Sequence, residues 1–445
     1  MNSELQTTKD WANTAFDKFE ASLNGEKNSF FHPLRKKALS SLVKQDLPSK
    51  KNEAWKYTRA DVVRSVSANS NLDFDSASLS ELDFSTLKDS HKLIFVNGKF
   101  VEAMSSYSLE DGVVVRALSD VMSDDGSHDL VNLEKYIGKI ANHDDDAFVA
   151  LNTAFATEGA YISVAKNKKI SKPVELIFAT TEEASNHSSH PRVVIVGETG
   201  SEANIIERFV SFGSTEYMTT VVTEIALAEN TNFNHYKLQL ESDSAYHVSH
   251  VYADIKSNSC LKTFQFAFGG STVRNEVWPV IDGEGVWAHL YGLSVLRDKQ
   301  HVDNYTVINH SKPNSESNEL YKGIYADKSR GIFNGTIIVE QDAQKTNAIQ
   351  SNQSLLLSSD ATSISRPQLK IWADDVKCTH GATIGQLDED GLFYLRARGI
   401  SKRNAKHILV QAFAGEVLEN IENDELKEEL IELVADRLDS LTYEL

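Results

Sequence analysis

From about residue 92 to 385, apolar or β-branched side chains recur at every second position. Examples are Val221, Thr223, Ile225 and Leu227, then Tyr236, Leu238 and Leu240, then Phe264, Phe266 and Phe268. A period of two belongs to a strand, whose side chains point alternately to opposite faces. The turns between runs carry Asn, Asp and Gly, as in Glu229-Asn230-Thr231-Asn232, Ser257-Asn258-Ser259, Asp282-Gly283-Glu284-Gly285 and Asp327-Lys328-Ser329-Arg330-Gly331. Such residues enter left-handed backbone at low cost. About 300 residues of strand and turn with no amphipathic helix between them exclude a doubly wound sheet. They leave a sandwich, a propeller or a β-solenoid of roughly 20 or more residues per coil. No blade signature recurs and no Asn-Gly hairpins arrive at regular spacing, so the solenoid is expected.

The pattern is helical at both ends. Trp11, Phe16 and Phe19 precede a basic helix around Pro33 to Val43, whose proline suits a first turn, and Leu47-Pro48 breaks it. Ser- and Asp-rich sequence around Asn69-Ser70-Asn71 and Ser76-Ala77-Ser78 predicts a linker. After Asp388 a helical period returns: Leu392 and Leu395, then Ala405, Ile408, Leu409, Ala412 and Phe413 on one face, with Gly399 ending one helix and Ser401 capping the next. A last helix follows Asn423 with Leu426, Leu430, Val434, Leu438 and Leu441 in one stripe. The expected organisation is an N-terminal helical domain and linker at 1–90, a β core at 91–385 and a C-terminal helical domain at 386–445.

Charge and cysteine content narrow the function. With 64 acidic against 45 basic residues the formal charge is −19, which gives no basis for general binding to nucleic acid or anionic membrane. Two cysteines, Cys260 and Cys378, suit a reduced compartment and cannot supply a four-thiolate cluster. The first sixteen residues contain no apolar signal core and no run of 18 apolar residues occurs, so the chain reads as soluble, cytoplasmic and unprocessed.

Common catalytic signatures are missing. The glycine stretches Gly197-Glu198-Thr199-Gly200 and Gly269-Gly270-Ser271-Thr272 lack the lysine of a phosphate-binding loop, so no nucleotide is expected on this chain. There is no Gly-x-Ser-x-Gly elbow and no His-Glu-x-x-His helix. The stretch Asp374-Asp375-Val376-Lys377-Cys378-Thr379-His380-Gly381-Ala382-Thr383 is the most informative. In extended chain Cys378 and His380 project from one face. A thiolate beside an imidazole suits iron, zinc or copper(I), and Lys377 could favour the thiolate. Two ligands make an incomplete site that a second chain would have to finish. On spacing alone, the competing reading is that Cys378 fills the core and His380 bonds a turn.

Other candidates read as structural. Cys260 is expected to be a small buried apolar residue, and His247 and His250 to be strand histidines on opposite faces. Asn52-Glu53-Ala54-Trp55-Lys56-Tyr57-Thr58 is read as packing against the solenoid end rather than as a nucleic-acid contact. Arg396, Arg398, Lys402, Arg403 and Lys406 precede a tail, 416–445, with eleven acids and two bases. They form either a partner-binding surface or a solvated helical face. Asp374-Asp375 is an acidic pair that a carbohydrate-active solenoid enzyme could use, but neighbouring strand residues point apart.

Three motifs together resemble the SufB/SufD family: Asn52 to Thr58, Asp374 to Thr383, and Leu395-Arg396-Ala397-Arg398-Gly399-Ile400. Gly331-Ile332-Phe333-Asn334-Gly335, Gln350-Ser351-Asn352-Gln353 and Leu355-Leu356-Leu357 follow in the same order and spacing as in the family. The resemblance covers essentially the whole chain. It implies a mainly β fold, a right-handed parallel β-helix flanked by helical domains, acting as a non-catalytic scaffold in iron–sulfur cluster assembly with SufB and two copies of the ATPase SufC. The cysteine-poor chain is similar to the SufD rather than the SufB branch. By the resemblance, His380 becomes the preferred ligand of a nascent, transient iron–sulfur cluster shared with SufB, and Cys378 a second one nearby. The segment Leu392 to Val417 becomes the SufC docking site. Family complexes are associated with reduced flavin, though no flavin motif is visible here. An unpaired sheet edge would also permit a homodimer in isolation. The alternative is a purely structural adaptor in which Cys378 and His380 are inert.

Overall fold

A strand buried on both faces must hand its backbone groups to neighbours on both edges, and this chain does so by coiling. The computed structural model describes residues 7–23, 29–65, 84, 87–107 and 111–441. Of the linker expected between about 70 and 90, residues 70–83, 85 and 86 lie outside the described residues. A hairpin of β1 (His91–Val96) and β2 (Lys99–Phe100) starts one sheet, and β3 (Val113–Ala117), antiparallel to β4 (Gly159–Val164), starts the other. β5 (Val174–Thr181), β6 (Ser188–Ser189) and β7 (Arg192–Gly197) follow.

Thirteen longer strands then alternate between the two sheets: β8 (Glu202–Phe212), β9 (Met218–Leu227), β10 (Asn232–Leu240), β11 (Tyr246–Ile255), β12 (Cys260–Ala267), β13 (Thr272–Ile281), β14 (Trp287–Leu296), β15 (His301–His310), β16 (Glu316–Tyr325), β17 (Arg330–Val339), β18 (Asn347–Leu356), β19 (Thr362–Ile371) and β20 (Lys377–Gly385). Even-numbered strands from β8 onward pair in parallel in one sheet and odd-numbered strands in the other, giving a parallel β-solenoid of about eight turns. From β8 onward the coil length varies, from the 26-residue step Tyr246 to Thr272 up to the 32-residue step Arg330 to Thr362. One corner places a left-handed residue in successive coils: Asn230, Asn258, Gly285, Asn314 and Lys345, with φ between 59° and 68°. All but Lys345 belong to types that tolerate this region.

The apolar stripes divide between inside and outside. Val221, Ile225 and Leu227 face the interior and join Val251, Val277 and Leu290. Tyr236, Leu238, Phe264, Phe266 and Phe268 face outward, beneath the C-terminal helices. Their strand neighbours His235, Lys237, Thr263 and Gln265 are therefore sealed inside the solenoid.

The N-terminal cap contains α1 (Thr8–Ser22), α2 (Phe31–Gln45), α3 (Leu118–Ser123), α4 (His128–Tyr136) and α5 (Ala147–Phe155). The last three fall inside the segment expected to be all strand. All nine residues of α5 are buried, so it has no polar face and produces no amphipathic signal. Trp55 stacks on Phe148 with ring centroids 4.8 Å apart, and Thr58 donates to Asp303. The Asn52–Thr58 segment thus covers the outer wall of the solenoid rather than its end.

The C-terminal helices are α6 (Glu389–Ala397), α7 (Lys402–Leu418) and α8 (Asp424–Asp439). Asp388, Ser401 and Asn423 cap them by accepting backbone N–H groups, and Gly399 sits at φ 85°. The stripe of α8 is buried as expected. In α7 the buried face is Ala405, Lys406, Val410, Ala414, Val417 and Leu418, rotated from the expected one, and Ile408 is exposed. Arg208, fully buried, ties this domain to the solenoid: its Nε donates to Glu175 at 2.6 Å and its Nη2 to Glu429 at 2.7 Å. Arg208→Ala strands the buried Glu175 carboxylate and should cost about 3–5 kcal/mol, read as a lower urea midpoint. Adding Glu175→Gln should recover part of the loss.

Candidate functional site

The coil that ends the solenoid has no successor. Among the described residues β19 pairs only with β17 and β20 only with β18, so each presents one edge of N–H and C=O groups. In a parallel ladder, register partners project to the same face. Cys378 lies on Ala348 and His380 on Gln350, and both of those are buried. Cys378 and His380 therefore point to the interior side, and His380 is exposed because the coil that would cover it is missing. The sequence placed these two on one face, and the structure brings them together at an open end.

The two side chains differ in environment. Cys378 is half-buried against Ile337, Val339, Ala348 and Ala373, and burial raises its thiol above the ordinary value. Lys377 is the partner of Asn347 on the opposite face and does not activate the thiol as its position in the sequence suggested. Cys378 is thus a packed thiol at neutral pH, while the His380 ring is presented to whatever docks.

Beneath His380 runs a buried polar column. Gln350 donates from Nε2 to Glu319 Oε2 at 2.6 Å, and Glu319 is the register partner of Gln350 one coil below. Burial pushes the Glu319 carboxyl up to about 7, against hydrogen bonds from Thr306 and Gln350. Farther in, Lys237 donates to Ser249 and to Asn275, each at 2.6 Å, and Asn275 donates to Asn304 at 2.9 Å. Burial draws the Lys237 ammonium down to about 7, opposed by Glu207 and Glu241. His247 contributes to this interior cluster, whereas His250 faces outward under the cap. Cys260 is half-buried on the outer face, with its thiol raised by burial, and is not the core residue expected.

Large apolar side chains are exposed around the open end. Ile371 and Trp372 close β19 and Ile384 lies near the end of β20. Phe393 and Tyr394 of α6 are 75% and 56% exposed. Ile371 and Trp372 lie at one end of the last coil and Ile384, Phe393 and Tyr394 at the other, so exposed apolar side chains stand at both of its corners. Of the expected basic surface, Arg396, Arg398, Lys402 and Arg403 are exposed. Arg398 stacks over Tyr394 at 3.8 Å, and Arg403 approaches Asp439 at 3.5 Å. Lys406 is buried, its ammonium disfavoured by burial and by Lys402, so it cannot belong to that surface. Sequence reasoning missed Glu319 and Gln350, because only the 31- and 30-residue steps of the last coils stack them under His380.

A family model described as "SUF system FeS cluster assembly, SufBD core domain" matches residues 178–413, and one for the "SufBD protein N-terminal region" matches 6–176. The chain belongs to the SufBD family. Its relatives include the iron–sulfur cluster assembly protein SufD of Escherichia coli, 31% identical with 94% of this chain and 95% of that one covered. An iron–sulfur cluster assembly SufBD family protein of Synechocystis is 29% identical over 95% and 92%. SufD of Bacillus subtilis is 27% identical over 74% and 75%. The SufBD core segment holds the open end and the polar column, and the junction of the two matched segments falls in β5.

For this SufBD chain, Glu319 makes a pH signature. Its folded pKa of about 7 lies above the ordinary 4.5, so its contribution is fully present below about pH 4.5 and is lost as pH rises to about 7. Glu319→Gln should leave stability unchanged at pH 4 and raise it by about 3 kcal/mol at pH 8. Denaturant midpoints at the two pH values check this.

Proposed function

We propose that this chain is a non-catalytic scaffold that pairs the open end of its solenoid with SufB, forming the surface on which an iron–sulfur cluster is assembled. The observation that carries the reading is the unfinished coil: a sheet edge, an apolar rim and an inward-facing imidazole all await a second polypeptide. Parallel-strand addition would satisfy the open edges, and the partner would supply the ligands that His380 and Cys378 lack. His380 is the ligand presented by this chain. Cys378, packed and protonated, is secondary. The cluster is cargo, held until transfer.

The C-terminal helices are the docking surface for the SufC ATPase, with α6 contributing Phe393 and Tyr394 and the basic residues Arg396, Arg398, Lys402 and Arg403. ATP can alter the assembly only if it favours one arrangement over another. The homologues named SufD, one of them matched over nearly its whole length, support the assembly role. No helix among the described residues is long and apolar enough to cross a membrane.

Co-expression with SufB and SufC should yield one complex, and the isolated chain should show no turnover. His380→Ala should leave complex and folding intact while lowering reconstituted cluster at least tenfold, and Cys378→Ala should lower it less. Cluster absorbance of the purified complex reads both; full cluster in the His380→Ala complex would remove this residue from the mechanism.

A further inference from the structure

A second constellation lies far along the chain from the open end, where the cap meets the outer wall of the solenoid. His250 and Glu276 are register partners on β11 and β13, both facing outward. Asp146, the N-cap of α5, is lowered onto them: His250 Nε2 is 3.3 Å from Asp146 Oδ1 and 3.7 Å from Glu276 Oε2. All three ligand atoms fall within 4.8 Å of one another. A tetrahedral ion with bonds of 2.0–2.2 Å sets its ligand atoms about 3.3–3.6 Å apart. The two distances from His250 lie close to that range, and the third pair, within 4.8 Å, needs only a small closing movement to share an ion.

The imidazole supplies an independent observation. His250 is 1% exposed, yet its Nε2 has no hydrogen-bond partner. It sits between two carboxylates, and although burial disfavours a charged ring, Asp146 and Glu276 outweigh it and draw positive charge to this position. Each carboxylate is oriented by other donors: Asp146 Oδ1 accepts the N–H groups of Phe148 and Val149, and Glu276 accepts from Arg274 and from Trp278 Nε1. Such outer bonds fix ligand geometry before an ion arrives. Arg274 also pairs with Asp303, so Glu276 and Asp303 share one guanidinium, and with Asp146 beside them three carboxylates have one fixed positive charge among them. A proton on His250 offsets one of the two remaining charges; a divalent ion offsets both. Asp146 and Glu276 also line a cavity of about 520 Å³, with Trp55, Tyr252 and Trp278 among its walls, which gives an entry path and room for a completing water.

We propose that Asp146, His250 and Glu276 bind a first-row divalent transition-metal ion that pins the N-terminal cap to the solenoid wall. One imidazole and two carboxylates select the zinc and iron class over magnesium and calcium. The site is separate from the cluster surface and does not depend on that reading.

The test uses the full chain carrying Cys378→Ser and His380→Ala, so that the open end is silent. Zn²⁺ titration by calorimetry in excess Mg²⁺ should give one ion per chain and raise the thermal midpoint, because an ion that binds only the folded state stabilises it. X-ray absorption of the zinc-loaded protein should show nitrogen and oxygen ligands and no sulfur. His250→Gln should weaken binding at least a hundredfold, and Glu276→Gln serves if that variant does not fold. Absence of stoichiometric Zn²⁺ binding by the Cys378→Ser, His380→Ala chain, or unchanged affinity in a folded His250 or Glu276 variant, would overturn the proposal.

Discussion

Register between parallel coils is the constraint on which this molecule depends. Each strand of the solenoid is buried on two faces and bonded on two edges, so its backbone is satisfied only while another coil follows. The interior tolerates Lys237, Glu207, His235 and Glu241 because stacking brings each beside a partner. At β19 and β20 the stacking stops, and the same rule that buries Gln350 leaves His380 exposed. The candidate site is thus the repeat interrupted at a place where its interior column contains an imidazole.

The two faces of each sheet divide the work. Inward positions hold an aliphatic core and, beside it, buried polar groups that run from Glu207, His235 and Lys237 in β8 and β10 to Glu319 and Gln350 in β16 and β18. Outward positions hold aromatic residues that bury themselves under α7 and α8 on one side, and a ladder of Tyr252, Trp278 and Tyr305 beside the N-terminal cap on the other. Buried ion pairs join these layers. Such pairs contribute little net stability compared with apolar packing, but losing one partner is costly, so they fix which surfaces meet.

Much of the architecture is legible in the sequence, since it follows from local periodicity and turn chemistry. The alternation at Val221–Leu227, the left-handed Asn230 and Asn258, and the caps at Ser401 and Asn423 all appear where local rules place them. The pairing of Cys378 with His380 is likewise a two-residue property. Stacking between coils is not local. With coils of 26 to 32 residues, no fixed offset leads from His380 to Gln350 and Glu319. Strands covered on both sides hide which stripe faces inward, and α5, buried all round, hides that it is a helix.

The helices and the open end are joined through β16. Its Lys322 reaches outward to Glu416 of α7, and Glu319 on the same strand reaches inward to Gln350 beneath His380. Close-packed interiors resist graded deformation, so a pull on α7 or α8 moves the solenoid as one body rather than bending this column. α6 differs: it fully buries none of its side chains and contacts chiefly α7, while following β20 by only a few residues. On the proposed function, force applied to the C-terminal domain would therefore be expressed as a change in how the open end meets its partner, because α6 is the least buried element between them. Such coupling requires that a docked partner favour one of two arrangements of the interface over the other.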